Sequence, residues 1–448
     1  MKKLLLACLL ASATLTKAQY FSKEEAQENN LTNEIEMAEQ FGEELLNLLH
    51  KQQFEMIHEA FLEEELQEEL TVKKLALSWN KLASEGMSDI LEPKLKVTAS
   101  NVFYLRGFST EEKKYDLTFT LNEERKLTTF RISPFQKVET WEAPNYVAAE
   151  RFKTEDLKIG DEQALLAEVT LPLKTKDFPL VVMVHGSGPN DMNESLGPNK
   201  LFKDLAYGFA SRGIASIRYN KRTFDWPNSI LDDYAKANFR DVVDHDARNA
   251  IQIAAEYTSG PIILLGHSLG GYLAPRIAEG MDLAAVIVMA GNSSPLEEVI
   301  MPQFEYLYKN DTSGAVNEFL LNMIKTQVKN LKEGNFDSTT IAPILPLGLP
   351  AGFWLDLKKY DPVKTAKKQK TPYLIVSGER DYQVPPKETK AWESALNHPQ
   401  SNVKIYPKLN HMFFAGEGLC LPAEYETKAP VNKQVVDDLI KWIKGIAK

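Results

Sequence analysis

From residue 167 to the C-terminus, short apolar runs alternate with longer amphipathic stretches, and this rhythm constrains the fold more than any other feature of the chain. Residues 167–173 and 180–184 read as strands, 199–212 as a helix ended by Gly213, and 214–219 as a strand. Residues 234–257 read as one long helix, 261–265 as a buried strand, 269–279 as a helix and 284–289 as a strand. Strands at 373–377 and 403–406 and a terminal helix over 431–446 complete the set. Strands separated by helices in this way predict a mostly parallel sheet covered on both faces. One interval breaks the rhythm: residues 292–370 carry no clear core strand, and a structureless loop of that length does not suit a compact domain. The expectation is an inserted helical cap, with a helix over 316–331 and a proline- and leucine-rich stretch over 341–350. Two readings of its apolar residues Leu345, Leu347, Leu349, Phe353 and Trp354 stand side by side: they line a substrate pocket, or they pack the cap onto the sheet.

Ahead of this region the grammar differs. Residues 21–70 are glutamate-rich with apolar residues at helical spacing (Ile35, Ala38, Phe41, Leu45, Leu48, Leu49), and a second amphipathic stretch carries Val72, Leu75, Leu77, Trp79 and Leu82. Strict alternation then begins at Tyr115, Leu117, Phe119 and Leu121, with neighbouring strands expected at 97–105 and 127–132. Helices followed by an antiparallel sheet predict a separate α+β domain over 21–138, joined by a linker at 141–146 to a larger α/β domain over 146–448.

The first eighteen residues read as an export signal: Lys2 and Lys3, then a mostly apolar run over 4–15, then Ala18 at a cleavage site. That run is too short to span a bilayer as a helix, and no later stretch is apolar enough to do so. The expectation is therefore a periplasmic or secreted protein. An uncleaved anchor is one alternative. A lipid attachment at Cys8, after Leu5-Leu6-Ala7, is another, weakened by the short apolar run before it. Cleavage would remove three lysines and move the net charge from −10 to −13, which argues against nucleic acid and anionic lipid as partners. It would also leave Cys420 as the single cysteine, so no intramolecular disulfide is available. The seven histidines form no His-x-x-x-His pair of the kind that holds a metal on a helix.

The chemistry concentrates at Gly266-His267-Ser268-Leu269-Gly270. Gly-x-Ser-x-Gly alone is a weak signal, but here an apolar strand precedes it and a helix follows, which predicts a sharp turn presenting Ser268 as a nucleophile. The flanking glycines remove side chains that would collide in the turn. A serine hydroxyl needs a base, and His411 follows the 403–406 strand on the way to the terminal helix. His50, His58, His245 and His398 sit in helical or outlying contexts, and His267 lies in the elbow, where packing is its expected role. Asp381, in the loop after the 373–377 strand, is the expected acid, with Glu379 as rival. The order Ser268, Asp381, His411 is the order of the nucleophile-elbow fold. For the oxyanion, the backbone N–H of Leu269 is one expected donor and that of Ser187 the other, with Gly186 as alternative. The glycine-rich segment His185-Gly186-Ser187-Gly188-Pro189 lacks the lysine of a phosphate loop.

The region from residue 146 onward resembles the α/β-hydrolase superfamily. The stretches His185-Gly-Ser-Gly-Pro-Asn-Asp, Gly197-Pro-Asn-Lys-Leu-Phe-Lys-Asp-Leu-Ala and Arg218-Tyr-Asn-Lys-Arg are similar to a bacterial group of esterase-like, dienelactone-hydrolase-like and serine-aminopeptidase-like proteins. Members often carry a small N-terminal domain with a nuclear-transport-factor-like, cystatin-like cone fold, which residues 21–138 resemble. The resemblance implies hydrolysis of a small-molecule ester through Ser268, Asp381 and His411, with no metal or organic cofactor. Two positions depart from the group's habit: Asn220 where aspartate is frequent, and Ala167 where glycine is. Peptidase, thioesterase or acyltransferase chemistry would use the same triad, and a ligand-binding protein with an idle triad is the alternative from outside catalysis.

Overall fold

The computed structural model describes residues 19–83, 86–97, 102–135, 141–173, 177–226 and 237–447. The expected signal segment, with Ala18 and Cys8, lies outside the described residues. The chain divides into two compact units between Thr140 and Trp141.

The first unit is a five-stranded antiparallel sheet, ordered β1 (Gln19–Phe21), β2 (Met87–Val97), β3 (Val102–Thr110), β4 (Lys114–Leu121) and β5 (Leu127–Pro134), with helices α1 (Thr32–His50) and α2 (Val72–Ala83). Leu45, Leu46 and Leu49 of α1 and Trp79 of α2 meet Phe108, Leu117 and Phe119 of the sheet in one apolar cluster. The single strand expected at 97–105 is two strands: β2 ends at Val97, β3 opens at Val102, and those two residues pair. Most of β2 was hidden by its charged residues and by Pro93, which sits beside a register shift in the β2–β3 ladder.

The second unit is an eight-stranded sheet. Its strands are β6 (Phe152–Ile159), β7 (Leu165–Pro172), β8 (Leu180–Val184), β11 (Ala215–Tyr219), β12 (Ile262–His267), β13 (Ala285–Met289), β14 (Tyr373–Gly378) and β15 (Asn402–Tyr406). A two-stranded ribbon, β9 (Ser195–Leu196) with β10 (Asn199–Lys200), lies between β8 and β11 in the chain. Across the sheet the order is β15-β14-β13-β12-β8-β11-β7-β6; the six strands from β15 to β11 are parallel, and β7 and β6 run antiparallel at one edge. Successive side chains on each parallel strand point to opposite faces. Val181, Met183, Ile263, Leu265, Ile287 and Met289 join one apolar cluster, while Val182, Val184, Leu264, Val286 and Val288 join the other. The first face is covered by α3 (Leu201–Ala210) and the terminal helix α10 (Lys433–Ile446); the second by α4 (His245–Tyr257) and α5 (Leu269–Ala278). The long helix expected from 234 begins later: a π-helical turn over Arg240–Asp244 leads into α4, and residues 234–236 lie outside the described residues.

The interval 292–370 is helical: α6 (Leu296–Asn310), α7 (Glu318–Lys332), two short 3-10 turns, α8 (Ala351–Leu357) and α9 (Pro362–Lys367). Leu345, Phe353 and Trp354 are buried, Leu347 and Leu349 are partly so, and all five pack against the cores of the sheet faces. Phe353 meets Phe239 edge-on at 4.4 Å. All five thus make the contacts of the packing reading. Among the described residues, no helix is long and apolar enough to cross a membrane.

Candidate active site

β12 stops at His267, α5 starts at Leu269, and Ser268 between them has φ 52° and ψ −116°. A non-glycine residue held there carries strain on the order of 1–3 kcal/mol, which the surroundings must hold in place. They do so by bonding both sides of the residue: Ser268 N–H donates to Met289 O at 2.8 Å, and Ser268 O accepts from Tyr272 N at 2.9 Å. The flanking glycines are required by close backbone approach. A Cβ on Gly266 would stand 2.2 Å from Gly270 O, and one on Gly270 would stand 2.2 Å from Val184 O. Leu269 is the first residue of the helix, so its N–H has no carbonyl one turn earlier within the helix to engage.

Asp381 and His411 meet on neighbouring loops. Asp381 Oδ2 lies 2.7 Å from His411 Nδ1, and both side chains are buried. The other carboxylate oxygen accepts the N–H groups of Gln383 and Val384, each at 2.8 Å, which fixes the carboxylate plane. With Nδ1 donating to Asp381, Nε2 is left as the nitrogen that accepts. Gly378, at the end of β14, lets the two loops come together: a Cβ there would stand 2.2 Å from Leu409 O. Asn410 folds the histidine turn, its Oδ1 accepting from Met412 N and Phe414 N and its Nδ2 donating to Glu424. Glu379, the rival acid, is exposed, and its N–H bonds Tyr406 O. Of the rival bases, His245 is largely exposed and His398 accepts from Gln400 N, two residues along its own loop.

Two side chains that sequence reasoning did not single out tie this site together. Glu194 Oε1 accepts from Gly186 N at 2.8 Å and lies 2.9 Å from His267 Nδ1, while His267 Nε2 lies 3.0 Å from His411 O. A carbonyl only accepts, so Nε2 carries a hydrogen; a further hydrogen lies between Nδ1 and the carboxyl of Glu194. One buried pair therefore joins the glycine-rich loop, the elbow and the histidine loop. The N–H of Gly186, the alternative oxyanion donor, is thus engaged by Glu194. The second side chain is Lys221, after β11, whose Nζ donates to Gly186 O at 2.7 Å. Asn190 Nδ2 donates to the same carbonyl at 3.1 Å. Gly186 has no room for a side chain, since a Cβ would stand 2.9 Å from Glu194 Oε1 and 3.1 Å from Ser268 Cβ. Glu194 gave no signal because it sits in a polar run without periodicity. Lys221 lay within the Arg218-Tyr-Asn-Lys-Arg stretch, so a signal for it existed. Asn220 of that stretch accepts from Met192 N at 2.7 Å and donates to Asp225 Oδ1 at 2.8 Å, a two-way role that an ionised aspartate could not fill.

The helical interval 292–370 contacts the loop of Asp381. Tyr306 of α6 stacks on Tyr382 at 4.9 Å, and Gln303 Nε2 donates to Gln383 O at 2.8 Å. Cys420 is buried, and burial pushes its thiol up to about 11, so it offers little thiolate at neutral pH. Among the described residues, no three His, Cys, Asp or Glu side chains gather as a metal site.

The profile of the alpha/beta hydrolase family matches residues 181–417. Esterase EstD of Thermotoga maritima is 34% identical over 386 residues, spanning 84% of this chain and 88% of its own. Among solved structures, Est1E from Butyrivibrio proteoclasticus covers 65% of this chain and 98% of its own at 15% identity, with a TM-score of 0.40. A puromycin-hydrolyzing peptidase of Mycobacterium tuberculosis covers 77% of this chain and 46% of its own at 18% identity, with a TM-score of 0.42.

Proposed function

The chain belongs to the alpha/beta hydrolase family, and from that premise we propose that it is a serine carboxylesterase acting through Ser268, His411 and Asp381. The observation that carries the reading is the Asp381–His411 pair, buried and bonded at 2.7 Å, held by a hydrogen bond from His267 against the strained elbow of Ser268. The likeness to Esterase EstD over most of both chains supports the choice of ester as substrate.

In the proposed reaction the ester carbonyl sits beside Ser268 Oγ. His411 Nε2 takes the hydroxyl proton as Oγ attacks, and Asp381 stabilises the imidazolium that forms. The tetrahedral oxyanion is received by the N–H groups of Leu269 and Ser187. Collapse expels the alcohol, which takes the proton back from His411. Water then attacks the acyl-enzyme by the same route and releases the acid. Each oxyanion donor in such a site contributes roughly 3–4 kcal/mol of barrier lowering. The export signal read at residues 1–18 adds a location to the proposal, outside the cytoplasm.

The test is hydrolysis of a panel of p-nitrophenyl esters of increasing acyl length, with aminoacyl anilides and acyl thioesters alongside. The expected outcome is ester turnover that exceeds the other two classes and falls by roughly 10⁴-fold or more in Ser268→Ala. Anilide turnover above ester turnover would overturn the assignment of substrate class, and full ester activity in a folded Ser268→Ala variant would overturn the assignment of the serine.

A further inference from the structure

We propose that Lys221 is a positioning residue of the oxyanion site, acting through the Gly186–Ser187 peptide unit; this deepens the reading above and rests on it. The Nζ group of Lys221 donates to Gly186 O at 2.7 Å, and the side chain is almost wholly buried. The carbonyl of Gly186 and the N–H of Ser187 belong to one planar peptide. In a trans peptide they point in opposite directions, so fixing the carbonyl fixes the aim of the N–H. No cis peptide is present among the described residues.

Lys221 does more than orient. A charged donor on a carbonyl draws electron density through the amide, and the N–H at the other end becomes a better donor as a result. In a buried setting this polarisation is weakly screened. The loop is held from other sides as well: Asn190 Nδ2 shares the Gly186 carbonyl, Lys221 N donates to Asn190 O at 2.9 Å, and Glu194 holds the Gly186 N–H. Those contacts keep the loop in place when the lysine head group is removed, so its electronic and directional contribution can be separated from its folding role. The strand order explains how the lysine reaches the site. β11 lies beside β8 in the sheet, parallel to it, so the loop after β11 emerges next to the loop after β8 that carries Gly186 and Ser187.

The experiment compares matched oxoester and thionoester substrates in the full-length enzyme and in Lys221→Met, Lys221→Gln and Lys221→Arg. Sulfur accepts hydrogen bonds weakly, so a thionoester draws little on the oxyanion donors. The expected result is a fall in kcat on the oxoester of roughly 10- to 100-fold in Lys221→Met and Lys221→Gln, with KM within about threefold. On the thionoester the same variants should change little, so the oxo-to-thiono ratio collapses. Lys221→Arg, which keeps a charged donor, should restore most of the ratio. A ratio unchanged in folded Lys221→Met or Lys221→Gln would overturn the proposal. So would a folded Lys221→Arg whose ratio is as low as the neutral variants', and this arm remains decisive if the neutral variants do not fold. Failure of the underlying reading shows separately, as retained activity on both substrates in Ser268→Ala.

Discussion

Glu194 and His267 show how few side chains hold three loops in register. Both are fully buried, and between them they bond Gly186 N and His411 O. Because one oxygen, Oε1, serves both Gly186 N and His267 Nδ1, an amide cannot replace the carboxyl: its oxygen would face an accepting ring nitrogen, or its NH₂ would face a donating N–H. Glu194→Gln is therefore expected to lower stability by roughly 1–3 kcal/mol, read by chemical denaturation, and to reduce kcat more than it raises KM. Wild-type stability and kcat in that variant would show that the pair is incidental. At this scale the sequence was legible where chemistry imposes a local pattern. Ser268 stands in a five-residue motif whose glycines are dictated by backbone contacts under 3 Å, and Asp381 and His411 follow strands in the expected order. Glu194 has no such pattern, since its partners come from positions 8 and 73 residues away.

Elements were legible according to burial. The inner strands β8, β12, β13 and β14 are buried along almost their whole length and read as continuous apolar runs. β6, at the edge of the sheet, is mostly polar, with only Phe152, Leu157 and Ile159 apolar, and so carries no apolar run to read, because an edge strand keeps one side in water. The helical interval 292–370 was recognisable as an interruption, but its attachment was not. That attachment is ionic as well as apolar: Arg276 of α5 bonds Asp244 at 2.7 Å and Asp356 of α8 at 3.1 Å, and Arg240 adds a contact to Asp356 at 3.0 Å. The side chains of the arginine and both its aspartates are buried, so removing the cation strips buried Asp244 of this partner and leaves Asp356 with Arg240. Arg276→Ala is expected to destabilise the protein by about 3–5 kcal/mol in a urea titration. A loss below about 1 kcal/mol would mean that the carboxylates find other partners or water.

On the scale of the whole molecule, the sequence announced two kinds of grammar, and the chain divides between them at residues 140 and 141. The catalytic unit carries a carboxyl that links stability to pH. Burial pushes Asp204 of α3 up to about 6, against the pull of hydrogen bonds from Val431 N and Trp141 Nε1. A carboxyl raised on folding favours the folded state while it is protonated. Its contribution is complete below the ordinary carboxylate range near pH 4 and is lost as pH rises through about 6. The stability gap between wild type and Asp204→Asn should therefore change by roughly 3 kcal/mol between pH 4 and pH 7, with wild type losing more as pH rises. A gap constant across that range would contradict the assignment. In the proposed reaction this unit presents one serine, Ser268, as the nucleophile. Mass spectrometry of the protein treated with a fluorophosphonate tests it directly. A single adduct, formed with loss of fluoride, is expected at Ser268 and is expected to be absent from Ser268→Ala. An adduct on another residue, or no adduct on a folded and active wild-type enzyme, would contradict it.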